Sequence, residues 1–310
     1  MTPQSAAADW MAELSDGATL ADLTIPGTHQ SCARYAGPSF GFLQCQNVGF
    51  DLDQQLDAGV RYLDIRCRAH RRQLRVHHAS VFQHKTFEDV LSTCGAFLAA
   101  HPGETILMRI RQEASSVTPE AFRALLIDHT STLPHGDLLR WHGALSSLGA
   151  VRGKITLISG PPCVGGIAWK GALMDVQDDY EVRTLETKTR AVVEHLRRAA
   201  YLPSGMTRPL LVNHACGYRF PLLSRRRIAR YVVPRISQVM RELGESGAPG
   251  GLGVVALDYA DEAVELVEQL IAWNAPLRTV GLVEKCPESL GASVSAPESD
   301  RDRSALRSPR

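Results

Sequence analysis

The sequence has no long apolar run, no paired-cysteine motif and no excess of charge of either sign. No stretch of about 20 apolar residues occurs, so a transmembrane helix is not expected. Residues 1–16 lack a basic segment followed by an apolar one, so no signal peptide is visible and the compartment stays open. The 34 Lys and Arg balance 33 Asp and Glu, a net charge of +1 that argues against nucleic acid as a partner.

The cysteines give no sign of a structural metal site. The seven cysteines include no CxxC pair, so a structural zinc site is not expected, and an odd number leaves at least one thiol unpaired. Cys32 and Cys45 could pair in an oxidising compartment, but buried free thiols are the favoured interpretation. No other feature of the sequence indicates a cofactor.

Short β-branched segments alternate with longer amphipathic ones along the chain. Repeated strand–helix order predicts a mostly parallel sheet, and about eight strands favour a TIM-like (β/α) barrel, distorted or irregular, over an open sheet. We expect one barrel domain over residues 1–290 and a disordered tail over 291–310, where Ser, Pro and charge dominate. The predicted strands are 23–25, 60–66, 74–77, 105–110, 155–158, 209–212 and 254–257, and the predicted helices are 86–100, 119–126, 184–200, 226–243 and 263–273.

Titratable residues stand at the carboxyl ends of the predicted strands, the edge at which barrel enzymes place their active sites. His29 follows the first strand, Arg66 ends the second and His78 ends the third. Arg111 ends the fourth, and Asp258 ends the last. Phosphodiester cleavage needs a base, an acid and fixed positive charge on the phosphoryl group. Two histidines and an arginine supply all three.

A metal-dependent reaction would place several carboxylates around a cation. The second predicted strand offers only Asp64, and Arg66 two residues later repels a cation and can occupy its place. We therefore expect no metal in the site.

Seven segments, in chain order, add a more specific signal: 25–29 (IPGTH), 59–66 (GVRYLDIR), 76–78 (VHH), 102–108 (PGETILM), 152–155 (RGKI), 176–180 (VQDDY) and 257–259 (LDY). Together they resemble the X-type catalytic domain of bacterial phosphatidylinositol-specific phospholipase C, over roughly residues 10–275. The resemblance implies metal-independent cleavage of phosphatidylinositol to diacylglycerol and inositol 1,2-cyclic phosphate. It also implies an enzyme that is commonly extracellular.

The resemblance implies a role for each residue at the strand ends. His29 matches the general base for the inositol 2-hydroxyl, and His78 matches the general acid for the leaving oxygen. Arg66 matches the residue that stabilises the phosphoryl charge. Asp258 matches the carboxylate that orients His29, and we place Asp64 in the same network.

The same resemblance supplies the residues that hold substrate. Arg111, Asp178 and Tyr180 match positions that hold the inositol, and we add Gln30 to this set. Gln30 stands where metal-independent enzymes usually carry an aspartate, and a neutral amide cannot raise the pKa of the acid histidine as a carboxylate does. The metal-dependent branch carries an amide there, which leaves a calcium site open. Gly160 stands where an inositol-binding arginine is usual.

Apolar side chains in two loops allow two interpretations. They could lie under the barrel rim, or they could form an apolar rim that dips into a bilayer while Arg225, Arg226 and Arg227 attract anionic lipid. His214 is expected at the surface or rim. The partners we expect are a phosphatidylinositol or glycosylphosphatidylinositol headgroup and a peripheral membrane surface, with the chain acting as a monomer. The apolar loop residues are Phe40, Phe42, Leu43, Tyr218, Phe220, Leu222 and Leu223.

Two other functions stay open. A calcium-dependent phosphodiesterase would need Glu-x-Asp on the second strand, where this chain has Asp64-Ile65-Arg66. A catalytically weak module that binds inositol phosphates or lipid headgroups is favoured only by Gln30.

Overall fold

The computed structural model describes residues 7–38, 42–160, 164–205 and 207–278. Phe40, the predicted tail 291–310 and the predicted domain end at residue 290 lie outside these ranges. Most barrel strands are separated by helices, as the sequence predicts, but β2–β4 and β6–β9 follow one another with no α-helix between them. The strands are β1 (Thr24–Thr28), β2 (Tyr62–His70), β3 (Gln73–His78), β4 (Val81–Thr86), β5 (Ile106–Gln112), β6 (Leu139–Arg140), β7 (Ile155–Ser159), β8 (Ile167–Ala168), β9 (Met174–Gln177), β10 (Leu210–His214) and β11 (Gly253–Leu257). The helices are α1 (Leu52–Asp57), α2 (Phe87–Ala100), α3 (Pro119–Thr132), α4 (Leu185–Tyr201), α5 (Arg225–Glu245) and α6 (Val264–Ala272).

The strands form one curled sheet that is the wall of a distorted (β/α) barrel. Its order is β6-β7-β5-β2-β1-β11-β10-β9, and neighbours along this path pair in parallel. β8 pairs with β7, and within the described residues neither β6 nor β8 pairs with β9, so the barrel is open there. Because these strands are parallel, their carboxyl ends share one edge of the sheet.

Two strands depart from the parallel pattern that the sequence predicts. β3 runs antiparallel to β2, and β4 runs antiparallel to β3. The nine-residue β2 extends past the barrel edge, and β3 returns along it with Val76 opposite Cys67. Continuing this register brings His78, the last residue of β3, back to the carboxyl ends of the barrel strands. His78 therefore reaches the site on a returning hairpin and not on a barrel strand.

Side-chain caps fix where the outer helices begin. Thr118 and Thr184 each accept a hydrogen bond from a backbone N–H of the first turn of α3 and α4, which satisfies donors that a helix start leaves free. Pro119 occupies the first position of α3, as predicted. Ser224 caps α5, so Arg225 is its first residue. No described helix is both long enough and apolar enough to cross a membrane.

Apolar side chains fill the barrel interior and the layer between sheet and helices. At the amino ends of β2 and β5, Arg61 and Glu104 form a fully buried ion pair, 2.8 Å from Nε to Oε2. Cys32 and Cys45 are buried free thiols, as favoured from the sequence. The interior cluster includes Ile25, Tyr62, Leu107, Ile158, Val212 and Val254.

Candidate active site

His29 and Asp258 meet because β1 and β11 are paired neighbours. Thr28 pairs with Leu257, so the residue that follows each strand comes next to the other. His29 Nδ1 lies 2.9 Å from Asp258 Oδ1, and both residues are buried. The pairing predicted between this histidine and this carboxylate is present in the structure.

The tautomer of His29 follows from its second neighbour. Arg66 Nη2 lies 3.1 Å from His29 Nε2, and a guanidinium can only donate, so Nε2 is the acceptor and Nδ1 carries the hydrogen. Burial, and then the charge of Arg66, lower the pKa of His29 well below its usual value. Burial raises the pKa of Asp258 to about 7. A neutral imidazole with a free Nε2 electron pair is the form that a general base requires.

Asp64 and Arg66 form an ion pair at the carboxyl end of β2. Asp64 Oδ2 accepts hydrogen bonds from Arg66 Nη2 and from the backbone N–H of Gln30, both at 3.2 Å. Although burial alone would raise the pKa of Asp64, Arg66 and Arg109 hold it well below its usual range. Glu113 Oε2 lies 3.6 Å from Arg66 Nη1, so two carboxylates fix this guanidinium beside His29.

His78 has no such carboxylate partner. Its Nδ1 lies 2.6 Å from the carbonyl oxygen of Leu43, to which it donates, so Nε2 is left for the cavity. Burial, and then the charge of Arg225, lower the pKa of His78 to about 3. Gln30 is buried with φ +44°, and no carboxylate forms an ion pair with His78 among the described residues. With this pKa, His78 is neutral at pH 7.

A cavity of about 680 Å³ joins these groups at the carboxyl edge of the sheet. Seven of the nine predicted site residues line it, whereas Asp64 and Asp258 are buried outside its lining. The volume is in the range of a site for a small organic ligand. The seven are His29, Gln30, Arg66, His78, Arg111, Asp178 and Tyr180.

Two groups of buried side chains could in principle hold a metal ion. One is His29, His214 and Cys216, the other is His29, Cys45 and Asp258, and in each the ligand atoms lie within 4.8 Å of one another. Calcium prefers six or more oxygen ligands, and these groups offer at most one carboxylate. Neither donor set suits calcium.

Comparison with known proteins shows which family the chain resembles. The sequence profile of "Phosphatidylinositol-specific phospholipase C, X domain" matches residues 43–159. A 1-phosphatidylinositol phosphodiesterase of Listeria monocytogenes is 29% identical over 269 residues, 82% of this chain and 81% of that protein. The chain is therefore similar to phosphatidylinositol-specific phospholipases C.

Solved structures of this phospholipase C family share the fold. The enzyme from Listeria monocytogenes superposes with a TM-score of 0.75 at 25% identity, covering 86% of this chain and 98% of that one. A Staphylococcus aureus phosphatidylinositol-specific phospholipase C, from work on the modulation of its membrane binding, has a TM-score of 0.71 at 25% identity, covering 86% and 98%. The predicted distorted barrel is thereby confirmed.

The residues predicted to hold inositol lie along one side of the cavity. Arg111 is half exposed on β5, with Nε 3.9 Å from Glu113 Oε2. Asp178 follows β9, and His214 and Arg109 lower its pKa although burial acts in the opposite direction. Tyr180 is 50% exposed, a ring face open to a ligand. Position 160, where the sequence resemblance implied an arginine, is glycine and adds no side chain to the site.

The sequence analysis did not assign Glu113 or His214 to the site. Glu113 forms ion pairs with both Arg66 and Arg111, and its place just after β5, two residues beyond Arg111, was the available signal. His214 is fully buried at the end of β10, with its ring edge-on to His29 at 5.6 Å, so the surface or rim prediction for it is wrong. Its neighbours in the barrel interior are aromatic, which a single sequence does not reveal.

Arg225 also differs from its prediction. One of the two interpretations placed it against anionic lipid, but it is buried and lines the cavity. Arg226, its neighbour, is exposed and pairs with Glu262. The sequence predicts the start of α5 to within one residue. The position of each arginine relative to this start was the available signal for which of the three is buried.

Proposed function

We propose that this chain is a phosphatidylinositol-specific phospholipase C that works without a metal. It cleaves phosphatidylinositol to diacylglycerol and inositol 1,2-cyclic phosphate. The position of His29 carries the proposal: Asp258 holds one ring nitrogen, and the other lies in a cavity shared with Arg66 and His78. The similarity to 1-phosphatidylinositol phosphodiesterases supports the same substrate. The proposal includes glycosylphosphatidylinositol headgroups and a monomeric enzyme.

Each group has a step in the reaction. His29 Nε2 takes the proton of the inositol 2-hydroxyl, and that oxygen attacks the neighbouring phosphorus. The bond from phosphorus to the glycerol oxygen breaks, and His78 gives this oxygen its proton. Arg66 stabilises the charge on the phosphoryl oxygens. Because burial and Arg225 lower the pKa of His78 to about 3, the phosphodiester anion of the substrate must raise it before His78 can carry a proton.

The test is cleavage of phosphatidylinositol in excess chelator, following inositol 1,2-cyclic phosphate. Wild-type turnover should survive the chelator, and His29→Ala should reduce it by about 100- to 10,000-fold, the usual contribution of a general base. His70→Ala, at the end of the β2–β3 hairpin, is the matched control and should leave turnover unchanged.

Other results would favour the alternatives. Turnover that returns only with calcium would make the chain a calcium-dependent phosphodiesterase and Gln30 a candidate ligand. Binding of inositol phosphate with no turnover in either condition would favour a headgroup-binding module.

We propose further that apolar side chains at the cavity mouth contact the membrane. Phe220 and Leu222 are 68% and 61% exposed, which is unusual for side chains of this size. The ring of Phe42 lies 5.0 Å from that of Phe220, so the two loops form one apolar rim beside the cavity. A lipid whose headgroup enters the cavity would bring the bilayer surface against this rim.

Leu222→Ser tests the rim without altering the cavity lining. Binding to vesicles that contain phosphatidylinositol should weaken about five- to tenfold, because one apolar side chain no longer enters the bilayer. Ile127→Ser, an exposed position on α3, is the control. The idea fails if turnover of a water-soluble inositol phosphodiester drops as much as vesicle binding does.

A further inference from the structure

Arg225 is a buried cation without a carboxylate partner among the described residues. It is 6% exposed. Its Nη1 donates to the carbonyl oxygen of Phe42, and its guanidinium lies over the ring of Tyr218, 4.8 Å from the centroid. Its Nε is buried and has no hydrogen-bond partner in the described chain. A carbonyl and a ring face do not neutralise a buried positive charge, so this arrangement favours an incoming anion.

Three other arginines with little exposure differ from Arg225 in their partners. Arg61 pairs with Glu104. Arg208 has no carboxylate in its hydrogen bonds, but Nε, Nη1 and Nη2 all donate to backbone carbonyls. Arg66 lies between Asp64 and Glu113. Arg225 combines an unsatisfied donor with the absence of a counter-ion, and it does so in the wall of the cavity.

The position of Arg225 connects it with both the proposed general base and the proposed general acid. It lines the cavity together with His29 and His78. Of the charged groups around them, Arg225 acts most strongly on both His78 and Asp258. The phosphorus that is attacked must lie within reach of both the base and the acid, and Arg225 lines the cavity that holds both.

A comparison of the ion pairs around the cavity shows what charge Arg225 contributes to it. Two carboxylates already offset the charge of Arg66. Gln30 is neutral, so it offsets nothing. Of the three arginines that line the cavity, Arg225 is the one without an ion pair to a carboxylate among the described residues. A phosphodiester carries one negative charge and gains more on its phosphoryl oxygens in the transition state, where a fixed cation is most effective.

We propose that Arg225 is a second guanidinium for the substrate's phosphate, acting beside Arg66 on the phosphoryl oxygens. The inference rests on the proposed function for the identity of the substrate. Its chemical content is narrower: the cavity has a subsite for a phosphate anion, whether that anion belongs to a lipid headgroup or to a soluble cyclic phosphate.

Binding of two soluble probes separates this role from a structural one. Inositol 1,2-cyclic phosphate carries the anion and myo-inositol does not. Arg225→Gln should weaken binding of the cyclic phosphate about tenfold or more and leave binding of myo-inositol unchanged. Arg226→Gln is the matched control, since that neighbour pairs with Glu262 outside the cavity lining, and it should change neither affinity.

Turnover of a water-soluble inositol phosphodiester gives a second readout. Arg225→Gln should lower kcat/KM about 10- to 100-fold, with Arg226→Gln near wild type. Equal losses of affinity for both probes would assign Arg225 to packing and overturn the proposal, as would no loss for either. If Arg225→Gln does not fold, Arg225→Lys carries the test, with a several-fold loss for the cyclic phosphate alone.

The two proposals can fail separately. A wild-type chain that cleaves no inositol phosphodiester, yet binds cyclic phosphate through Arg225, would keep the anion subsite and reject the enzymatic function. If Arg225→Gln cleaves phosphatidylinositol as well as the wild-type chain does, the enzymatic function is kept and the anion subsite is rejected.

Discussion

Two buried arginine–carboxylate centres lie at opposite ends of the barrel strands. The basal pair, Arg61 and Glu104, lies at the amino ends of β2 and β5. Arg61 also donates to the carbonyl oxygens of Leu56, Val60 and Ala8. Glu104 Oε1 accepts from two backbone N–H groups near the start of the chain. Each polar group of the basal pair has a partner.

The second centre lies at the carboxyl ends of the strands. It also contains an arginine–carboxylate ion pair, but some of its buried polar atoms have no hydrogen-bond partner among the described residues. We call it the site cluster: His29, Asp64, Arg66 and Asp258. Its ion pairs and hydrogen bonds are present, yet several buried atoms in and beside it have no hydrogen-bond partner among the described residues, although Asp64 Oδ1 and Arg109 Nη1 form an ion pair at 3.7 Å. The atoms without a hydrogen-bond partner are Asp64 Oδ1, Arg66 Nε, Asp258 Oδ2, Arg109 Nε and Nη1, His214 Nε2 and Arg225 Nε.

The difference separates stability from function. A buried charged group with every partner in place holds chain segments together, and removing one partner leaves a charge with no compensation. A buried cluster with unsatisfied atoms can still gain interactions, which is what a binding or catalytic site requires. The basal pair should therefore affect unfolding, and the site cluster should affect turnover.

Breaking the basal pair is expected to have the largest effect. Glu104→Gln leaves Arg61 buried without its counter-ion and should lower the free energy of unfolding by about 3–5 kcal/mol. Denaturant unfolding measures this directly. Turnover per folded molecule should stay near wild type, because the pair lies at the end of the strands opposite the cavity.

A surface ion pair gives the control for that variant. Glu242→Gln removes the partner of Arg197 on an exposed helix face and should change the free energy of unfolding by less than about 1 kcal/mol. If Glu104→Gln cost no more than Glu242→Gln, the contrast between the two centres would be wrong. A loss of turnover in folded Glu104→Gln would also contradict it.

Within the site cluster, Asp258 should set the acid side of the pH profile. Burial raises its pKa to about 7, so the carboxyl takes up a proton as the pH falls through that value. The protonated carboxyl no longer supports an imidazolium at His29, so kcat/KM should fall below about pH 7. Asp258→Asn should lower kcat/KM about 100-fold or more and remove this inflection.

A matched control variant shows whether the change in the pH profile is specific to Asp258. Asp261→Asn changes a carboxylate whose Oδ2 accepts from Asn47, outside the cavity lining, and its profile should match wild type. An unchanged inflection in Asp258→Asn would assign the titration to another group.

The sequence was sufficient for the parts of the fold and site that depend on strand ends. Alternation of short and long apolar patterns located seven strands and five helices, because each has its own period and length, although α3 runs six residues beyond its predicted end. Residues that follow strands, such as His29 and Asp258, could be brought together once the sheet was taken as parallel. Their 2.9 Å contact follows from the β1–β11 pairing.

Features that depend on tertiary context were missed. The strands β6, β8 and β9 have four residues or fewer, too short for a period to show. The antiparallel return of β3 was missed because a strand's pattern does not give its direction. The inward turn of Arg225 depends on packing against Tyr218 and Phe42 from distant loops. Likewise, nothing local distinguishes a buried His214 from one at the rim.

Adding a counter-charge at the acid histidine should have the smallest effect of the three. Gln30 and His78 line the same cavity, and Gln30 has φ +44°, a region that aspartate enters more readily than most residues. Gln30→Asp should raise the pKa of His78 above about 3, because a nearby carboxylate favours the imidazolium. A general acid whose pKa is closer to the working pH should raise kcat by a few-fold.

An NMR titration of the His78 ring measures the pKa of that residue alone, and turnover of a soluble substrate measures kcat. Gln73→Asp, at the exposed start of β3, adds the same charge far from the cavity and should change neither quantity. An unchanged pKa in Gln30→Asp would place position 30 out of electrostatic reach of His78. A higher pKa with a lower kcat would instead show that the site cluster depends on the neutral amide.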